Sequence, residues 1–148
     1  MRPMVWWPTC AILGVLGLAT HANERPTEEY VEAMRTLDGA ARGLGHAIDA
    51  RDHEAMNEHV LAARPAIQLV QQFWRDKGVK EADDALEAAH AVSKAISEIS
   101  VAVHLMNLSP NPLAVEGAQV AMENLRTACA TCHRAHREEL PDGTYLIK

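Results

Sequence analysis

Apolar residues recur along this chain at steps of four and three, over four stretches separated by turn signals. That spacing keeps one face of an α-helix inward. The first stretch begins after Pro26, with Thr27 placed as N-cap and Glu28 and Glu29 in the first turn, where carboxylates complement the helix dipole. Its stripe is Tyr30, Met34, Leu37, Ala41, Leu44 and Ile48, and its predicted end lies near Arg51. The second runs from about Asp52 to Asp76 on Met56, Val60, Ala63, Ile67, Val70 and Trp74, and Lys77-Gly78 ends it. Pro65 inside it predicts a bend, because proline lacks a backbone donor and clashes with the preceding turn. The third, from about Lys80 to Leu108, carries a seam of Ala82, Ala85, Ala89, Val92, Ile96, Ile99, Val103 and Met106, stopped by Ser109-Pro110-Asn111-Pro112. The fourth starts near Pro112, an acceptable first-turn proline, and is expected to close at Leu140 and Pro141-Asp142-Gly143.

No strand-like alternation of useful length is present. The pattern therefore predicts an all-α fold, an antiparallel up-down-up-down four-helix bundle with helices ~35–40 Å long. The tail Thr144 to Lys148 has no predicted role.

The first residues read differently. Arg2 is a short basic start, Cys10 to Ala19 is apolar and uncharged, and Thr20 and Ala22 are small residues flanking a cleavage site after Ala22. This is the pattern of a secretory signal peptide, 1–22, followed by one domain, 23–148. The apolar run is shorter than the ~20 residues that span a bilayer, which weakens the membrane-anchor alternative. Removing 1–22 leaves Cys129 and Cys132 as the only cysteines. The expected location is then the bacterial periplasm.

On the fourth helical stripe stands Cys129-Ala-Thr-Cys132-His133. Cys-x-x-Cys-His is the attachment signature of c-type haem: each cysteine forms a thioether to a vinyl group, and the histidine becomes the proximal iron ligand. The stripe Val115, Ala118, Met122, Leu125, Cys129 and Cys132 places both sulfurs inward, with His133 one turn beyond Cys129. Zinc is the first alternative, but a structural site takes four ligands and no second cysteine pair exists. A thioredoxin-like dithiol expects a βαβ context that the pattern lacks.

Net charge is −6 for the whole chain and about −7 without Arg2, with no basic stripe, which argues against nucleic acid as a partner. Aromatics in 23–148 are Tyr30, Phe73, Trp74 and Tyr145, and alanine is abundant. A core of small residues leaves room for a large flat group, or simply lets helices approach closely; composition does not choose between them.

With the motif near the end of a fourth helix, the chain resembles the class II cytochromes c, the cytochrome c-prime proteins and their low-spin, methionine-ligated relatives. The resemblance covers nearly all of 23–148 and is most specific at Cys129-Ala-Thr-Cys132-His133-Arg-Ala-His136-Arg137. In that family an aromatic and a basic residue follow the motif. His136 departs from the aromatic and Arg137 matches the basic one, so the resemblance implies that Arg137 pairs with the haem propionates. It also places Met34, in Tyr30-Val-Glu-Ala-Met34, where low-spin relatives carry a methionine ligand. A thioether suits haem iron, and a His/Met pair raises the reduction potential.

A methionine on an inward stripe is ordinarily core packing, and Leu37, one turn on, is the competing residue over the iron. Two functions follow from the resemblance. In the first, one covalent haem c with His133 and Met34 as axial ligands serves electron transfer to redox partner proteins, without substrate chemistry. In the alternative the iron is five-coordinate and binds nitric oxide or carbon monoxide. A third reading is a small haem-free helical interaction module. Many relatives dimerise through the first two helices, so a homodimer is left open.

Among the other histidines, His46 is 12 residues from Met34, ~18 Å along a helix, so the two cannot serve one iron. His53, His59, His90 and His104 lie off the inward seams and read as solvated or locally bonded. His136 reads equally as a propionate donor or a solvated side chain. Trp74 reads as core, with contact to a haem edge as the other option. Glu81, Asp83 and Asp84 read as a solvated helix start.

Overall fold

The structure, a computed structural model, describes residues 24–78 and 81–148. The expected signal peptide lies outside the described residues. Four helices dominate: α1 Glu28–Ala50, α2 His53–Lys77, α3 Glu81–Leu108 and α4 Pro112–His136. Each packs along the next in the chain, while α1 and α4 touch least of these neighbouring pairs. The result is an all-α bundle with one core.

Local chemistry sets the helix ends. Thr27 Oγ1 accepts from the Tyr30 amide at 3.2 Å, and Asp52 Oδ1 accepts from the Ala55 amide at 3.0 Å. Asn111 Oδ1 accepts from the amides of Leu113 and Ala114 at 3.1 and 3.3 Å. Each satisfies a donor with no partner inside its helix, worth about 1 kcal/mol. Arg51 at φ 57° and Gly78 at φ 59° close α1 and α2 in the left-handed region. Pro65 is exposed, and α2 continues through it.

The periodic stripes are the buried faces. Leu44, Met56, Val60, Ile96 and Ile99 are the largest side chains fully enclosed. Burying each contributes roughly 1.5–3 kcal/mol. Alanines fill much of the rest, including Ala85 and Ala118, both at 0 % exposure. The described ion pairs within the helices, such as Arg35 with Glu32, are largely exposed and contribute little to stability.

One expectation needs correction. The fourth helix does not reach Leu140. It ends at His136, where the backbone extends into β1, Arg137–Glu139. The tail, which carried no predicted role, pairs with it: Tyr145–Ile147 forms β2, antiparallel to β1, with Arg137 opposite Ile147 and Glu139 opposite Tyr145. A second partner reinforces β2. The Glu24 amide donates to the Ile147 carbonyl at 3.1 Å, and the Ile147 amide donates to the Glu24 carbonyl at 2.9 Å. Ile147 is buried in the core cluster, so the hairpin is anchored at the end of the bundle where α1 begins and α4 finishes. Lys77 pairs with Glu24 there as well.

Candidate functional site

Because α1 and α4 stand apart, a cavity of about 910 Å³ opens between them, toward the upper end of the range for small-molecule and cofactor sites. Its wall brings together Cys129, Cys132 and His133 from α4, Met34 and Leu37 from α1, and Arg137 from β1. All six were singled out from the sequence. Met34 and Cys129 are 95 positions apart in the chain, and only the bundle makes them neighbours of one space.

The α4 residues face the cavity because they continue the stripe that buries Ala118, Met122 and Leu125 further down the same helix. Past Leu125 that stripe borders the cavity, and Cys129, Cys132 and His133 are only half-buried. On α1, Met34 is half-buried while Leu37 is buried. Much of the remaining wall is apolar, including Ile67, Val70, Val92 and Met122.

The electrostatics leave the thiols protonated and the imidazole neutral. Burial pushes the Cys132 thiol up to about 11, with the neighbouring Cys129 adding to the effect. Burial raises Cys129 too, and Asp38 contributes in the same direction. His133 is lowered, first by burial and then by Arg137, against the opposing influence of Asp38. A neutral imidazole keeps the lone pair that a metal requires. Both described cysteines are free thiols.

Among the described residues, no group of three or more His, Cys, Asp or Glu side chains comes together as a metal site. Zinc bound by protein side chains would need such a group. Haem iron does not, because the macrocycle supplies four nitrogens and the protein supplies one or two axial ligands. Thiols paired at Cys-x-x-Cys spacing, a neutral histidine beside them and a large partly apolar space fit a haem on chemistry and on size.

Several wall residues escaped the sequence reading. Tyr30 and Tyr145 both line the cavity, as do Arg25, Arg35 and Thr144. Trp74, expected as core or at a haem edge, lines it as well, buried at 3 % exposure, with its ring 5.1 Å from that of His136. The indole Nε1 of Trp74 is buried without an acceptor in full hydrogen-bond geometry. Its polar interaction is a weak one toward the Tyr30 hydroxyl, which only partly opposes the upward push of burial and Cys132 on that group. His136 is half-buried against Trp74, which removes the solvated reading of that residue. His46, His90 and His104 are exposed. His59 is half-buried against α1 and lies outside the cavity wall.

The chain matches no family model, no curated protein and no solved structure.

Proposed function

We propose that this chain is a periplasmic c-type cytochrome that transfers electrons through one covalently bound haem. In this reading Cys129 and Cys132 form the two thioethers, His133 is the proximal ligand and Met34 the distal one. The observation that carries it is the shared wall: the attachment triplet on α4 and the methionine on α1 border one cavity large enough for a cofactor. The bound haem would supply a one-electron couple.

The protein's own part is to hold that group and exclude water. Half-buried thiols and a neutral imidazole supply the attachment and ligation chemistry from a single helix face. Leu37, Ile67, Val70 and Val92 supply a water-poor surround. Arg137 supplies positive charge for the carboxylates of haem. The short connections between successive helices favour an up-down-up-down antiparallel order for the bundle. The compartment follows from the apolar N-terminal segment, and redox proteins are the partners this role requires.

Leu37 supports a second reading. It is buried in the same wall one turn from Met34. If Leu37 covers the iron and Met34 is only packing, the iron is five-coordinate and binds nitric oxide or carbon monoxide.

The optical spectrum of the haem-loaded protein, oxidised and reduced, with and without carbon monoxide, tests both. Sharp low-spin reduced bands with no response to carbon monoxide support the carrier. Broad high-spin bands that move with carbon monoxide replace it with the gas-binding protein. A colourless product from cells competent in haem attachment removes both.

A further inference from the structure

The cavity has two kinds of wall. Along the bundle it is largely apolar, with Asp38, Arg42 and Arg126 as charged members, and where α1 begins and the hairpin closes, aromatic hydrogen-bond donors gather. Arg137 stands over the Tyr145 ring, its guanidinium carbon 4.6 Å from the ring centroid. Arg35 is close enough to act electrostatically on the Tyr145 hydroxyl, and Tyr145 in turn acts on Tyr30. Trp74 adjoins Tyr30, their ring centroids 6.4 Å apart, and His136 packs on the Trp74 ring. The buried indole N–H of Trp74, lacking a well-placed acceptor, belongs to the same group. Both phenols line the cavity wall. A buried donor without a well-placed acceptor is costly, and an anionic ligand oxygen among these groups relieves that cost.

Haem has the matching polarity, an apolar macrocycle with two carboxylates on one edge. Resting on the haem reading above, we infer that the Tyr145 hydroxyl donates a hydrogen bond to a carboxylate of the bound haem, which makes the C-terminal hairpin part of the cofactor site. Three features equip Tyr145 for this. Its ring is held by Arg137, which the same carboxylate edge would attract. Its strand is fixed on both sides, by β1 and by Glu24. The following Ile147 is sunk in the core, so the hydroxyl is presented by a rigid element rather than a loose tail.

The test compares loaded wild-type protein with Tyr145→Phe and Tyr30→Phe. Phenylalanine keeps the stack on Arg137 and removes only the hydroxyl. The resonance Raman propionate bending mode reports hydrogen bonding at the haem carboxylates. Tyr145→Phe is expected to move this mode to lower frequency and to lower the midpoint potential, because an undamped carboxylate favours the ferric state. The axial-ligand bands should stay in place. An unchanged propionate mode overturns the inference, as does a shift seen in Tyr30→Phe with Tyr145→Phe silent. If Tyr145→Phe lowers the yield of loaded protein, the mode in the loaded fraction still decides. Protein without covalent haem overturns the haem reading and this inference together; loaded protein with a silent Tyr145→Phe overturns the inference alone.

Discussion

The imidazole of His59 fills the space where a side chain on Gly43 would begin. A Cβ at position 43 would lie 2.2 Å from His59 Nε2 and 2.3 Å from Cε1. Glycine at this crossing of α1 and α2 leaves room for that ring, and its role is one of contact, since its backbone is ordinary helix.

This contact predicts a sign change in a double-mutant cycle. In the wild-type background Gly43→Ala forces the His59 ring out and destabilises, by about 1–3 kcal/mol as for other overpacked sites. In a His59→Ala background the same change no longer meets the ring and is expected to return the usual helix benefit of about 1 kcal/mol. Gly39 and Gly117, where an added Cβ meets nothing within 4 Å, should gain that benefit directly. Thermal melts of the single and double variants check this. A Gly43→Ala variant as stable as Gly117→Ala would show that His59 does not hold its place.

The four helices were legible because their stripes are long and regular: Tyr30 to Ile48 alone repeats the inward position six times. The site was half legible. Cys129, Cys132 and His133 carry a local signature, but no spacing says that Met34 shares their space; that came only through resemblance. The hairpin was missed for a physical reason. Strands of three residues are too short for alternation to register, and pairing with Glu24 across the whole chain leaves no local trace. One signal was available. Asp142-Gly143 was read as a helix stop, yet it is equally a hairpin turn, with Gly143 at φ 79° and the Asp142 carboxylate accepting from the Thr144 amide at 3.0 Å.

Met34→Ala separates ligand from packing. If Met34 binds the iron, its loss turns the loaded protein from low-spin to high-spin and opens it to carbon monoxide. If Met34 is packing, spin state hardly changes, and the half-buried side chain costs at most the lower part of the 2–5 kcal/mol seen for core methionines. Leu37→Ala gives the reverse pattern: little spectral change under the carrier reading, and a more accessible iron under the gas-binding one. A high-spin wild type would sink the carrier reading before either variant is made.

Alkaline stability should depend on Tyr30. Burial, with Cys132 adding to it, holds its hydroxyl protonated well above the ordinary value of 10.0. The folded chain thus binds this proton more tightly than the unfolded chain. The stabilisation is complete below the unfolded value near 10 and is lost as pH rises through and beyond it, by up to ~1.4 kcal/mol per pH unit for one such group. Tyr145 is raised too, by burial against Arg137 and Arg35, and supplies a smaller part of the same trend. Urea midpoints between pH 9 and 11 should fall steeply for the wild type and less for Tyr30→Phe. Parallel curves would exclude Tyr30 as the cause.

The thiols make the last prediction, and on the haem reading it bears on when the cofactor would be attached. In the folded, unloaded chain Cys132 is pushed up to about 11 from an ordinary 9.0, chiefly by burial. At pH 8 the reactive thiolate is then ~100-fold scarcer than in an unfolded chain, because nucleophilicity resides in the thiolate. Iodoacetamide should alkylate Cys132 about that much more slowly when far-ultraviolet dichroism reports intact helices than in concentrated urea. Cys129, raised by burial and by Asp38, should be slowed in the same sense. Thioether formation needs both sulfurs reactive and reachable, and the folded site presents them half-buried and protonated. If the chain carries haem, attachment to an incompletely folded chain, with α1 and the hairpin closing afterwards, would follow from that chemistry. Equal alkylation rates in folded and unfolded chains would remove the reason for that order.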